Sequence, residues 1–164
     1  MTLARVLCGE RAVEREFLLP VRSLLASRLE KWLLPDGPRL SFDPVTGSLR
    51  GFVDLFFRYG GRYFLLDYKT NRLKAPPGSA PYAPDNLART MAAHRYDLQG
   101  LIYILAIHRL LSFARPEYDY GRDFGGAIFL FVRGSGSPGD GICRIRPSRE
   151  ELDSFDALLS GRRP

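Results

Sequence analysis

The sequence predicts an α/β sandwich built on one mixed sheet, and three observations predict it. Two β-prone runs, Phe52 to Tyr59 and Arg62 to Thr70, flank Gly60-Gly61, a strong signal for a two-residue hairpin. Leu87, Met91, Leu98, Leu101, Ile102, Leu105 and Leu110 trace an apolar stripe of roughly 3.6-residue period, the mark of a long helix from Asn86 to Phe113. The nearly all-apolar "GGAIFLFVRG" then reads as a strand covered on both faces. No Gly-rich phosphate loop joins a strand to a helix, so the doubly wound class and ATP hydrolysis are not expected.

The remaining elements follow in order. "EREFLLPV" is the first strand, broken at Pro20. Leu24, Leu25, Leu29, Trp32 and Leu33 recur at helical spacing, which predicts a helix over Val21 to Leu34, ended by "PDGP" and with Trp32 in the core. "RLSFDPVTGSLR" reads as a short strand and turn, and "KAPPGSAPYAPD" as an irregular loop beside the hairpin. On the long helix, Arg95, Gln99 and Tyr103 stand at successive fourth positions and form a polar line, while His94 and His108 read as structural residues. "ICRIRP" is an edge strand, and Ser148 with Glu151 forms a capping box opening a last helix, Arg149 to Leu159.

A chain of 164 residues, 45% hydrophobic and 26% charged, is the size and composition of one soluble domain. Its apolar runs are short for a bilayer and no signal segment opens it, so a cytoplasmic protein without membrane contact is expected. Cys8 and Cys143 lack the number and spacing of a disulfide framework or a zinc site. The net charge of +6 and pI near 9.6 suit a polyanionic partner. Lys31, Lys69 and Lys74 are the only lysines; arginine supplies the rest of the basic character, and its planar fork matches phosphate.

With Gly60-Gly61 as the turn, Tyr59 faces Arg62, Phe57 faces Phe64, and Asp54 falls opposite Asp67. Alternation then puts Asp54, Phe56, Tyr63, Leu65, Asp67 and Lys69 on one face, and Val53, Leu55, Phe57, Phe64, Leu66 and Tyr68 on the other. Like charges directly opposed, with Cβ atoms roughly 4.5 to 5.5 Å apart, are destabilising unless compensated. A magnesium ion would compensate them, since it is commonly held by one or two carboxylates plus substrate phosphate. Lys69 would then face a water or phosphate oxygen. The alternative is a pair of solvated aspartates with Lys69 as their ion-pair partner.

"GFVDLFFRYGGRYFLLDYKTN", "MAAHRYDLQGLIYILAIHRLL", "YDYGRDFGGAIFLFVRG" and "GICRIRP" together resemble the PD-(D/E)XK nucleases, specifically the C-terminal nuclease domain of the RecB (beta) subunit of exodeoxyribonuclease V. "EREFLLPV" resembles that domain's earlier strand, so the resemblance spans about Glu14 to Pro147. It implies a restriction-endonuclease-like mixed sheet flanked by helices, with a central Asp-bearing hairpin, as a single domain over 1–164 that lacks the family's upstream helix. It implies Asp54, Asp67 and the backbone carbonyl of Tyr68 as ligands of magnesium or manganese, with Glu16 on the earlier strand as a further candidate. Lys69 would orient or activate the attacking water, and Gln99 and Tyr103 would contact substrate or buttress the ligands. The implied reaction is hydrolysis of phosphodiester bonds in single- or double-stranded DNA, in double-strand-break repair and recombination, with helicase subunits as partners. In the family an upstream histidine completes the metal site, and this chain has none before His94. The alternative implied is a truncated, non-catalytic nuclease fold that binds DNA or a helicase partner.

Overall fold

A computed structural model describes residues 11–75, 77–136 and 141–162. In chain order the elements are β1 (Arg11–Leu24), α1 (Ala26–Leu29) with a 3-10 turn (Glu30–Trp32), β2 (Val45–Tyr59), β3 (Arg62–Lys69), α2 (Pro84–Ala93), α3 (Tyr96–Ala114), α4 (Tyr120–Asp123), β4 (Phe124–Phe131), a second 3-10 turn (Val132–Gly134), β5 (Ile142–Ile145) and α5 (Arg149–Leu159). One five-stranded sheet has the order β1-β2-β3-β4-β5. The β3–β4 pair is parallel and the other three are antiparallel, so the sheet is mixed, as the sequence predicts. This α/β architecture is compatible with a restriction-endonuclease-like domain.

The hairpin forms where Gly60-Gly61 predicts it. Both glycines have positive φ, 56° and 81°, which the two central residues of a tight hairpin turn require. Tyr59 pairs with Arg62 and Phe57 with Phe64. β4 is covered on both faces: Phe129 and Phe131 join the main core, while Ile128 and Leu130 join a second cluster with Leu55, Phe57 and Leu66. Ser148 and Glu151 close the predicted capping box over Arg149–Leu159. Trp32 packs on that helix, edge-on to Phe155 at 5.5 Å between ring centres.

Three expectations give way to tertiary pairing. β1 does not stop at Pro20 but runs on to Leu24; Pro20 lies opposite Ser48 on an edge strand, where a missing N–H costs little. The helix predicted over Val21 to Leu34 shrinks to α1 and its 3-10 turn, because the long N-terminal half of β2 captures Val21 and Leu24 as strand partners. That half of β2, from Val45, replaces the short strand and turn expected in "RLSFDPVTGSLR".

The helix expected from Asn86 to Phe113 is two helices, broken at His94 and Arg95. Arg95 adopts the left-handed conformation, with φ 53° and ψ 34°. Its guanidinium donates to the Pro38 carbonyl from Nε and Nη2, at 2.9 and 2.6 Å, and to the Leu34 carbonyl from Nη1 at 2.8 Å. Those bonds to the segment after the 3-10 turn hold the bend, and they remove Arg95 from the polar line that the spacing predicts with Gln99 and Tyr103. α3 is long and apolar enough, by length and composition, to cross a membrane; half of it is buried within this fold. Cys8 and residues 137–140 of the Gly-rich turn lie outside the described residues.

Candidate active site

Asp67 and Lys69 end β3, the central strand, and both are buried, at 6% and 9% exposure. They point at the first turns of α3. Lys69 Nζ lies 2.7 Å from Asp67 Oδ2 and donates to Gln99 Oε1 at 2.8 Å. Gln99 Nε2 in turn donates to Asp67 Oδ1 at 3.3 Å and to the Tyr103 hydroxyl at 2.7 Å. The amide orientation is fixed by chemistry, since an ammonium cannot accept a hydrogen bond and must face the amide oxygen. The i, i+4 spacing on α3 thus delivers Gln99 and Tyr103 to one carboxylate–ammonium pair.

Asp54 joins from β2 by a different geometry from the one the hairpin register predicts. The β2–β3 ladder extends only to Leu55 opposite Leu66. Beyond it, Asp54 Oδ2 accepts the backbone N–H of Tyr68 at 2.8 Å, so its carboxylate takes the place of a ladder partner. The alternation of β2 breaks here as well: Val53 joins the main core while Leu55 lies in the second cluster, although period-two reading puts both on one face. Asp54 occupies that crossover point. Its charge still reaches Asp67 and Tyr103, raising the pKa of each.

The electrostatics follow from burial. Desolvation is the main cause holding the Asp67 carboxyl above its usual range; the Lys69 contact opposes it and the Asp54 charge adds to it. Tyr103 is pushed up by burial first, then by Asp67 and Asp54, so its hydroxyl keeps its proton at neutral pH. The Lys69 ammonium lies 3.8 Å from the centre of the Tyr96 ring and 5.3 Å from that of Phe129.

Tyr96 and Phe129 are not among the sequence candidates, nor is Phe17, whose ring meets Tyr103 edge-on at 5.5 Å. Tyr96 carries a usable signal, since it precedes Gln99 by three residues and so shares its helix face. Glu16 stands apart. It pairs with Arg50 Nε, lies opposite Phe52, and is half exposed, while its neighbour Phe17 packs toward Tyr103. Of the two histidines, His94 stacks on Tyr96 and His108 contacts the Tyr118 hydroxyl at 3.3 Å.

No family model matches the chain. Among curated proteins, the RecBCD enzyme subunit RecB of Escherichia coli (strain K12) is 41% identical over 170 residues, which take in 98% of this chain and 14% of the relative. The chain belongs to the RecB family. RecB of Haemophilus influenzae is 44% identical over 73% of the chain, and RecB of Mycobacterium tuberculosis 38% identical over 71%. The chain therefore spans about a seventh or less of the RecB relatives it matches, 10 to 14% of their length. The match is consistent with the C-terminal nuclease domain of RecB.

Proposed function

We propose that this domain is a magnesium-dependent deoxyribonuclease, the nuclease module of a RecB-type protein acting on single- or double-stranded DNA. One observation carries the reading: β3 and α3 gather buried Asp67 and Lys69 and part-buried Gln99 and Tyr103 into one continuous network, with Asp54 anchored beside it. In a purely structural role the same residues would be a costly way to fill a core, because burying charge is expensive even when paired.

The donors fit a hard cation. Asp67 and Asp54 are oxygen ligands whose mutual repulsion helps raise the Asp67 pKa, an excess of negative charge that a divalent ion relieves. Among the described residues no group of three or more His, Cys, Asp or Glu is placed to hold a metal ion. That argues for an ion that keeps much of its water, magnesium or manganese, rather than zinc. Asp54, Asp67 and the Tyr68 carbonyl would hold it; Glu16, committed to Arg50, is left out of this set. When bound, the ion supplies Lewis-acid charge to a phosphodiester and acidifies water.

The protein's own residues do the rest. Lys69 pairs with Asp67 and donates to Gln99, and its positive charge would offset the negative charge that builds on the phosphoryl oxygens. Gln99 fixes the direction of both Lys69 and Asp67. Tyr103 accepts from Gln99, so its own O–H is turned to another acceptor, such as substrate. The basic protein then supplies long-range attraction for the polyanion. A cytoplasmic location and association with helicase subunits complete the proposal.

Both carboxylates already have protein partners, Asp54 the Tyr68 amide and Asp67 the Lys69 ammonium, which favours a second reading: a nuclease fold that binds DNA without cutting it. Incubating single- and double-stranded DNA with the protein, with and without magnesium, separates them. Shortened products that need magnesium and vanish in Asp67→Ala support the nuclease; a gel shift without shortening supports the binder.

A further inference from the structure

The bulged end of β1, α1 with its 3-10 turn, and the last turn of α5 enclose a cleft of about 610 Å³ whose lining includes Arg22, Arg28, Lys31 and Arg162 together with Ser23, Ser27 and Ser154. Among the described residues no acidic side chain lines it. Arg162 pairs with Asp156 at 2.5 Å, and Lys31 lies 4.9 Å from the Trp32 ring centre. Arg22, Arg28 and Lys31 are exposed and have no carboxylate partner among the described residues. Like charges crowd together only at a cost, so three unpaired cations around one hollow call for a polyanion.

The local backbone is built to assemble this cleft. The β1 register slips between Val21 and Leu24, and Ser23 sits at φ 49° with its N–H bonded to Thr46 Oγ1 at 3.0 Å. A bulge of this kind re-aims side chains, and it puts both Arg22 and Ser23 at the cleft. From the other side, α5 ends in a Schellman motif: Arg162 N–H donates to the Ala157 carbonyl at 2.9 Å and Gly161 N–H to Leu158 at 3.3 Å. Gly161 has φ 68°, and a Cβ there would lie 3.1 Å from Arg22 Cβ and 3.2 Å from its carbonyl oxygen. Glycine, at positive φ and with no Cβ to press on Arg22, suits the close approach of the α5 terminus to the bulge, and Arg162 and Arg22 line the same cleft.

The same elements reach the candidate active site through α3. Leu24, Leu29, Phe155 and Leu159 share an apolar hollow with Leu98 and Ile102, and Leu98 adjoins Gln99. We infer that the Arg22–Arg28–Lys31–Arg162 cleft is a second contact for the phosphodiester backbone of a nucleic-acid strand, which it holds away from the carboxylate–lysine site. The inference rests on the nuclease reading and deepens it, adding a site that binds length rather than the reacting phosphate.

The test is binding of a labelled single-stranded oligonucleotide, followed by anisotropy in EDTA across a salt series. For Arg22→Ala/Arg28→Ala/Lys31→Ala, affinity is expected to fall at least about tenfold, and the slope of log affinity against log salt to lessen by about 2, as three lost phosphate contacts require. Arg22→Lys/Arg28→Lys, which keeps the charge, is expected to retain most of the affinity. In magnesium, the triple variant is expected to cut a dinucleotide at the wild-type rate and a long strand with raised KM. Unchanged oligonucleotide binding by the triple variant would overturn the inference, as would inorganic pyrophosphate displacing the strand as effectively as unlabelled oligonucleotide. Should wild type cut neither substrate, the nuclease reading fails while the anisotropy result still decides the cleft.

Discussion

The Lys69 ammonium lies 2.7 Å from Asp67 Oδ2, and fewer than one part in ten of either residue is exposed. Removing one partner of such a pair leaves a buried charge without compensation, at a cost of about 3–5 kcal/mol. Lys69→Ala is therefore expected to destabilise the domain by about that amount, measured by urea denaturation. Asp67→Asn/Lys69→Met, which removes both charges, is expected to recover most of the loss. Equal destabilisation in the single and double variants would show that the pair is not coupled.

Metal binding should become acid-sensitive at a higher pH than an ordinary carboxylate would give. The folded Asp67 pKa is raised from 3.8, so as pH falls toward that raised value the carboxylate takes up a proton and gives up its ligand role. Manganese affinity, titrated by calorimetry across a pH series, is expected to drop at a higher pH than an exposed aspartate would give. Asp54→Asn removes one cause of the rise, so the midpoint of the residual binding should move to lower pH. A midpoint that does not move would separate the two carboxylates.

His108 gives the fold a pH dependence of its own. Burial chiefly, then the charge of Arg149, holds its pKa below 6.5, against the weaker pull of Asp153 and Asp156. The unfolded chain protonates as pH drops below 6.5 while the folded imidazole stays neutral, so stability is full above that pH and is lost toward the lowered folded value. His108→Gln is expected to flatten this part of the profile. Urea midpoints measured at intervals from neutral pH downward test it, and an unaltered slope would assign the effect to another group.

The bend between α2 and α3 depends on Arg95 and Gly37. A Cβ on Gly37 would collide with the Ala92 carbonyl and the Arg95 guanidinium, which leaves no room for both. Gly37→Ala is expected to cost about 1–3 kcal/mol, and Arg95→Ala a similar amount through its lost bonds to Pro38 and Leu34. Because the first change already evicts the guanidinium, the double variant should cost clearly less than the sum. Strict additivity in a double-mutant cycle would refute the shared cause.

By itself the sequence determined what rests on short-range chemistry. Gly60-Gly61 can supply two positive φ angles in succession, so the hairpin and its register were legible, and with them the approach of Asp54 to the end of β3. The i, i+4 pair Gln99 and Tyr103, the doubly covered β4 and the Ser148–Glu151 box were legible for the same reason. Tertiary structure decided the rest. Apolar spacing at Leu24, Leu29 and Trp32 suits a helix, but Val21 and Leu24 gain more by pairing with β2, a partner more than twenty residues away that no local pattern announces. The stripe through Asn86 to Phe113 does not record that Arg95 would leave the helix to bond Pro38 and Leu34. Nor does strict alternation foresee that β2 would cross faces at Asp54, freeing its carboxylate to take the Tyr68 amide. In each case a long-range hydrogen bond or burial outweighed a local preference worth less than about 1 kcal/mol per residue.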